Sequence, residues 1–241
     1  MHIPAKVTLV TGSAQGIGAH IAEQFQERGD KTHVVWRSDE DRGEALSEQF
    51  SHRTHQGDLS TEEVVDSLVE GILEIDGKID HVVHCIGDYH GASLAETEPS
   101  QWRALFESNV MTSILLANAV REPLRESAGT LVFFACAGVA SYKARRKCAA
   151  YSSTKSALFN FARSLALEEA PHGVRVNTIS PGLIPHADAE PSTLDPALHT
   201  HVPLGRPGTL EEVARAAIWL SSPESSYVVG QDLSLAGGWL S

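Results

Sequence analysis

The hydrophobic positions change period repeatedly along the chain. Short apolar runs with strand character alternate with longer stretches whose apolar residues recur every three or four positions. Lys6 to Thr11 reads as a buried strand, and Ile17 to Arg28 as a helix with Ile17, Ile21 and Phe25 on one face. Gly29-Asp30 ends that helix. The alternation continues with a strand at Thr32 to Trp36, a helix at Glu40 to Phe50, a strand at His55 to Leu59 and a helix at Thr61 to Ile75 capped by Ser60 or Thr61. A strand at Ile79 to Ile86 precedes two helices, Ser100 to Phe106 and Val110 to Glu126. Then follow a strand at Thr130 to Ala135, a helix at Ser152 to Glu169, a strand at Val174 to Ile179, a helix at Leu210 to Leu220 and a last strand at Asp232 to Leu235.

Strands separated by helices imply βαβ units. The expected fold is therefore α/β: a Rossmann-type, doubly wound parallel sheet of about seven strands with helices on both faces. No internal repeat or low-complexity linker divides the chain, and 241 residues suit one domain, here 1–241. Leu183 to Pro207 is the long irregular stretch, with Pro185, Pro191, Pro196, Pro203 and Pro207, and reads as a lid over a site.

Composition narrows the class. Hydrophobic residues make up 42% of the chain, which excludes disorder. The formal net charge of −12 opposes nucleic-acid phosphates. No apolar run is long enough for a membrane helix, and Met1 to Ala5 leads directly into the first strand, so a cytoplasmic protein is expected. The three cysteines, Cys85, Cys136 and Cys148, lack metal-type spacing and fit a reducing compartment. Cys85 and Cys136 read as small core residues. His199-Thr200-His201 has no clear further ligands, so no metal is expected.

The chemistry begins at Thr11-Gly12-Ser13-Ala14-Gln15-Gly16-Ile17-Gly18, between the first strand and the first helix. Gly12 permits a tight turn, Gly16 close approach of a pyrophosphate, and Gly18 close packing of helix on strand. The helix N-terminus offers free N–H groups to phosphates. In this context the turn points to a nicotinamide dinucleotide. The residue ending the second strand selects between the two coenzymes. Here Trp36-Arg37-Ser38 carries no carboxylate, and Arg37 is suited to a 2′-phosphate, which favours NADP(H). Gln15 is neutral and adds no second basic contact. Tyr151 and Lys155, four apart, share one helix face. A lysine ammonium beside a phenol lowers its pKa toward the working range, so Tyr151 is expected to act as acid and base.

The three-residue spacing between Gly12 and Gly16 resembles the short-chain dehydrogenase/reductase family. So do Asp58-Leu59, Asn109, Tyr151-Ser152-Ser153-Thr154-Lys155, Arg175-Val176-Asn177, Pro181-Gly182 and Ala236-Gly237-Gly238, which together span nearly the whole chain. The resemblance implies a catalytic set of Tyr151, Lys155 and Asn109, with Asn109 holding a water that links Lys155 to solvent. It implies coenzyme contacts from Gly12, Ser13, Gln15, Gly16, Ile17, Gly18, Arg37, Ser38, Asp58, Leu59, Ile86, Gly87, Tyr151, Lys155, Pro181, Gly182 and Ile184. His84-Cys85-Ile86-Gly87 stands where the family has Asn-Asn-Ala-Gly, and His84 reads as a hydrogen-bonded structural residue.

One family feature is missing. The serine that bonds the substrate oxygen falls at Gly138 when counted back from Tyr151, or at Ala135 when counted from the strand end. Neither carries a hydroxyl. Ser141 and Tyr142 are the substitutes in reach along the chain. On the second count the loop from Gly138 to Tyr151 is about three residues longer than the family's usual loop. It carries Lys143, Arg145, Arg146 and Lys147, which suggests an anionic substrate or carrier. The implied activity is NADPH-dependent reduction of a small-molecule or carrier-linked carbonyl, similar to 3-oxoacyl carrier-protein reductases, in a homo-oligomer (tetramer or dimer). A pteridine reductase-like enzyme and a catalytically weakened NADP(H)-binding regulator are the alternatives.

Overall fold

The computed structural model describes residues 5–141, 144–187, 189 and 195–239. Seven strands form one parallel sheet: β1 (Val7–Thr11), β2 (Lys31–Trp36), β3 (Thr54–Gln56), β4 (His81–His84), β5 (Thr130–Phe134), β6 (Arg175–Pro181) and β7 (Asp232–Leu235). Their spatial order is β3-β2-β1-β4-β5-β6-β7. The direction of winding reverses between β1 and β4. In an open α/β sheet the crevice at the C-terminal ends of such strands is where a ligand binds.

The helices are α1 (Gly16–Glu27), α2 (Glu40–Phe50), α3 (Glu62–Asp76), α4 (Pro99–Phe106), α5 (Thr112–Ser127), α6 (Ala149–Glu169), α7 (Pro196–His199) and α8 (Leu210–Ser221). Two apolar layers hold them to the sheet. On one face Val65, Ile72, Leu116, Val120, Leu158 and Leu165 of α3, α5 and α6 meet Leu9, Val82 and Leu131. On the other, Ile21, Phe25, Leu46, Val213 and Leu220 of α1, α2 and α8 meet Val10, Val34 and Val83. Adjacent strand residues thus face opposite layers, which is why β1, β4 and β5 are buried along their whole length. Each large aliphatic side chain so removed from water contributes about 1.5–3 kcal/mol.

The doubly wound fold expected from the pattern is the one observed. The boundaries differ where polar geometry overrides periodicity. The strand expected through Leu59 ends at Gln56, and Gly57 and Asp58 leave the edge of the sheet. The strand expected through Ile86 ends at His84, so Cys85 to Gly87 is free to turn across the sheet's C-terminal edge. The helices expected as separate are joined by a π-helical turn, Glu107–Met111, which holds Asn109. Helix α6 begins at Ala149, three residues earlier than the pattern suggests, so Tyr151 lies in its first turn. Thr61 takes the N-cap position of α3, yet its side chain makes no capping hydrogen bond.

Part of the stretch read as a lid, 183–207, lies outside the described residues. Its ends are anchored. Leu183 and Ile184 are buried, Gly208 N–H donates to the Leu183 carbonyl at 2.9 Å, and Leu204 N–H donates to Gly237 at 3.1 Å. Among the described residues no helix is long and apolar enough to cross a membrane.

Candidate active site

The glycine turn packs as its spacing implies. Gly12 has φ +68°, and a Cβ there would lie 3.0 Å from the Cys85 carbonyl group. A Cβ on Gly18 would lie 2.2 Å from the Gly12 carbonyl oxygen, so α1 closes onto the turn only because Gly18 has no side chain. The turn is braced from beneath. Ser13 is fully buried, donates to the Val10 carbonyl at 2.9 Å, and accepts from Val35 N–H at 2.9 Å. Its side chain is therefore committed to tying β1 to β2.

The segment Cys85-Ile86-Gly87 connects this turn to the second half of the site. At its start it backs onto Gly12. At its end Gly87 lies against Asn109 and Lys155: a Cβ on Gly87 would come within 2.2 Å of Asn109 Oδ1 and 2.6 Å of Lys155 Nζ. Asn109 is fully buried, and its Nδ2 donates to the Asp88 carbonyl at 3.0 Å. Its Oδ1 is buried and has no hydrogen-bond partner among the described residues. Lys155 is 4% exposed, and its Nζ donates to the Phe134 carbonyl at 2.9 Å. Burial weakens the ammonium and brings its pKa down to about 8. Lys155 Nζ stands 5.9 Å from the centre of the Tyr151 ring.

The expectation that Lys155 lowers the Tyr151 pKa is corrected here. Burial pushes the Tyr151 phenol up, the neighbouring Cys136, Tyr89 and Cys148 push it the same way, and Arg145 is the cation opposing them. In the protein alone Tyr151 is a firmly protonated acid. That state suits proton donation.

His84 is fully buried and bonds Thr11 Oγ1 at 2.7 Å through Nδ1 and Thr112 Oγ1 at 3.4 Å through Nε2. It thereby links β1 to the start of α5, the hydrogen-bonded structural role expected of it. Desolvation lowers its pKa to about 3, so the ring is neutral.

The remaining expected residues fall around the same edge. Arg37 and Ser38 are exposed just beyond β2. Asp58 accepts from Ser60 N–H at 3.1 Å, and Leu59 is 2% exposed. Pro181 ends β6. Gly182 packs against Ala236, where a Cβ would lie 2.8 Å from Cα, and Ile184 is buried beyond it. Ala135 and Gly138 bring no hydroxyl. Ser141 is exposed and donates to the Gly138 carbonyl at 2.7 Å, closing a local turn. Tyr142 lies outside the described residues, as does Lys143.

Three residues join the site without having been singled out for it. Arg42, in the first turn of α2, donates to the Gln15 side chain and to the Ala14 carbonyl, and pairs with Asp39 at 3.1 Å. The glycine turn therefore does have a basic neighbour, brought from α2. His186 places its ring over the turn, 2.7 Å from where a Cβ on Gly16 would be. Tyr89 stands edge-on to Tyr151, with ring centroids 4.9 Å apart. The basic loop divides. Arg145 turns inward and donates to the Ala137 carbonyl, lining a cavity of about 510 Å³ with Leu94, Cys136, Gly138 and Ser152. Arg146 and Lys147 stay exposed.

Turn, switch point and buried acceptor fit a dinucleotide. Gly12, Gly16 and Gly18 form a cradle that side chains would fill, at the end of β1 where the winding reverses. Asn109 Oδ1 and Lys155 Nζ converge a few residues away. These features define an oxidoreductase that uses a nicotinamide coenzyme.

Comparison with known proteins agrees. The model for the family described as Enoyl-(Acyl carrier protein) reductase matches residues 12–240. The chain is 30% identical to the 3-oxoacyl-[acyl-carrier-protein] reductase FabG of Chlamydia muridarum, over 97% of this chain and 96% of that protein. It is 34% identical to L-fucose dehydrogenase of Mus musculus (97% and 88%) and 30% identical to carbonyl reductase family member 4 of Xenopus tropicalis (97% of each). The chain belongs to the short-chain dehydrogenase/reductase family and resembles its 3-oxoacyl carrier-protein reductases. It is an enzyme acting on CH–OH or C=O groups.

Proposed function

We propose that this protein is an NADP(H)-dependent reductase of a carbonyl group, with a 3-oxoacyl thioester as its substrate type. The observation that carries the reading is the convergence of Lys155 Nζ and Asn109 Oδ1 on Gly87, with Tyr151 one helical turn from Lys155. When bound, the reduced nicotinamide supplies the hydride. The chain's own residues do the rest. Tyr151 gives its hydroxyl proton to the carbonyl oxygen. Lys155, held by the Phe134 carbonyl, would bond the nicotinamide ribose and steady the phenolate that results. Asn109 Oδ1 offers the acceptor for a water through which Lys155 recovers a proton. In the reverse direction Tyr151 takes the alcohol proton.

The choice of NADP(H) rests on Arg37 at the end of β2 and on Arg42 above Gln15. Arg37 is exposed just beyond β2, where this fold selects between the coenzymes, and Arg42 bonds Gln15 of the glycine turn. Arg146 and Lys147 form the exposed cationic edge that meets an anionic carrier. A homo-oligomer is proposed through the α5 and α6 side, supported by exposed apolar side chains at Leu167 on α6 and at Met111 in the turn that leads into α5.

The test mixes the protein with NADPH or NADH and a panel of 3-oxoacyl thioesters, dihydropterins and small ketones, following loss of reduced-coenzyme absorbance. Turnover of thioesters with NADPH that disappears in Tyr151→Phe supports the reading. Tight NADPH binding with no turnover across the panel overturns it.

A further inference from the structure

The strand end after β5 offers the substrate oxygen no hydroxyl at Ala135 or Gly138, and Ser141 donates its own to the Gly138 carbonyl. A second phenol nevertheless stands beside the proton donor. The Tyr89 and Tyr151 rings meet edge to face, centroids 4.9 Å apart and planes at 69°. Tyr89 is 45% exposed, so its ring meets Tyr151 while part of its surface reaches solvent.

Its position is built. Asp88, the residue before it, has its carbonyl held by Asn109 Nδ2 at 3.0 Å and its N–H donated to Ser108 Oγ at 3.4 Å. Gly91, two residues on, leaves room for the ring: a Cβ there would lie 3.0 Å from Tyr89 Cε1 and Oη. The same Asn109 that borders Lys155 therefore also fixes the loop that carries Tyr89. Electrostatics agree with the geometry, because Tyr89 is among the groups that hold the Tyr151 proton in place.

We propose that Tyr89 is a catalytic residue that replaces the missing serine. Its phenol donates a hydrogen bond to the same substrate oxygen that receives the Tyr151 proton. Tyr89 keeps its own proton throughout. Tyr151 loses one, and the substrate oxygen gains it as the hydride reaches the carbon. The proposal rests on the carbonyl-reductase reading above.

The experiment compares wild type, Tyr89→Phe, Tyr89→Ala and Tyr151→Phe on the carbonyl compound that wild type reduces fastest with NADPH. Coenzyme affinity is measured in parallel by NADPH fluorescence. Tyr89→Phe keeps the ring against Tyr151 and removes one hydroxyl. Removal of a single oxyanion donor lowers kcat by about 10²–10³-fold, so a fall of that order is expected with NADPH affinity unchanged. Tyr89→Ala is expected to fall at least as far and also to raise KM for the carbonyl compound. If Tyr89→Phe stays within a factor of about two of wild type while Tyr151→Phe is inactive, the proposal is wrong and the reductase reading stands. A fall in Tyr89→Phe that comes from lost NADPH binding also overturns it. If Tyr151→Phe turns over normally, or wild type reduces nothing on the panel, the reductase reading fails and takes this proposal with it.

Discussion

Lys155 Nζ donates to the carbonyl of Phe134, the last residue of β5, at 2.9 Å. This bond ties α6 to the C-terminal end of β5. It also satisfies one of three ammonium donors in a site where burial makes the charge expensive.

The consequence is a pH limit. Burial brings Lys155 down to about 8, so it loses its proton well below the ordinary lysine range. The kcat/KM for carbonyl reduction should fall as pH rises through about 8, because the neutral amine no longer steadies a Tyr151 phenolate. A guanidinium stays charged throughout this range. In Lys155→Arg the alkaline limb of kcat/KM should therefore disappear, even though misplacement lowers the plateau. A limb that survives at the same pH in Lys155→Arg would assign it to another group.

Gly87 makes a second prediction. A methyl there collides with Asn109 Oδ1 at 2.2 Å and Lys155 Nζ at 2.6 Å. Both groups must move, and displacement of about 1 Å in a catalytic set reduces turnover by about 10²-fold. Gly87→Ala should lose at least that much kcat while its far-ultraviolet circular dichroism matches wild type. Full activity in that variant would mean that Asn109 and Lys155 are not held in one set.

How much of this was legible along the chain depends on distance in sequence. The turn from Thr11 to Gly18 and the pair Tyr151 and Lys155 are local patterns, and helical or turn geometry alone places their atoms. Asn109 was legible by resemblance only; its orphan Oδ1 follows from a π-helical turn that no periodicity announces. Arg42 was hidden because its contact with Gln15 spans 27 residues and depends on how α2 returns from β2. Tyr89 was hidden because an exposed tyrosine in a loop looks like any other until α6 is folded against it. The direction of the Tyr151 pKa was misread because spacing reveals the nearby lysine and does not reveal the burial that outweighs it.

Coenzyme choice supplies the third prediction. Charge-assisted hydrogen bonds contribute about 1.5–3 kcal/mol, or roughly 10–100-fold in affinity. Arg37→Ala should weaken NADPH by that factor and change NADH by no more than about threefold, since NADH has no phosphate to lose. Arg42 is already engaged with Asp39 and Gln15, so Arg42→Ala should weaken both coenzymes by loosening the glycine turn, NADPH more than NADH. Isothermal titration with the four pairs reads this directly. Equal losses for both coenzymes in Arg37→Ala would remove the case for NADP(H).

The last prediction concerns stability in acid. His33 is fully buried between His55 Nε2 at 2.8 Å and Asp76 at 3.0 Å, and desolvation brings its pKa down to about 4. His81, bonded to Thr130 Oγ1 at 2.9 Å, falls to about 4 and His84 to about 3 for the same reason. All three stay neutral in the folded protein at pH values where the unfolded chain, near the ordinary 6.5, has already taken up protons. Between those limits the unfolded state binds more protons, so unfolding free energy must fall as pH falls, by about 1.4 kcal/mol per pH unit for each histidine. Asp76 and Asp80 act in the same direction, their depressed carboxyls adding to the loss once pH enters the ordinary carboxylate range. Urea unfolding from pH 7 to pH 4.5 should therefore show a steep loss beginning near 6.5. His81→Leu should remove about 1.4 kcal/mol per pH unit from that slope. A wild-type profile that is flat until the carboxylates titrate would show that these histidines are not held neutral by the fold.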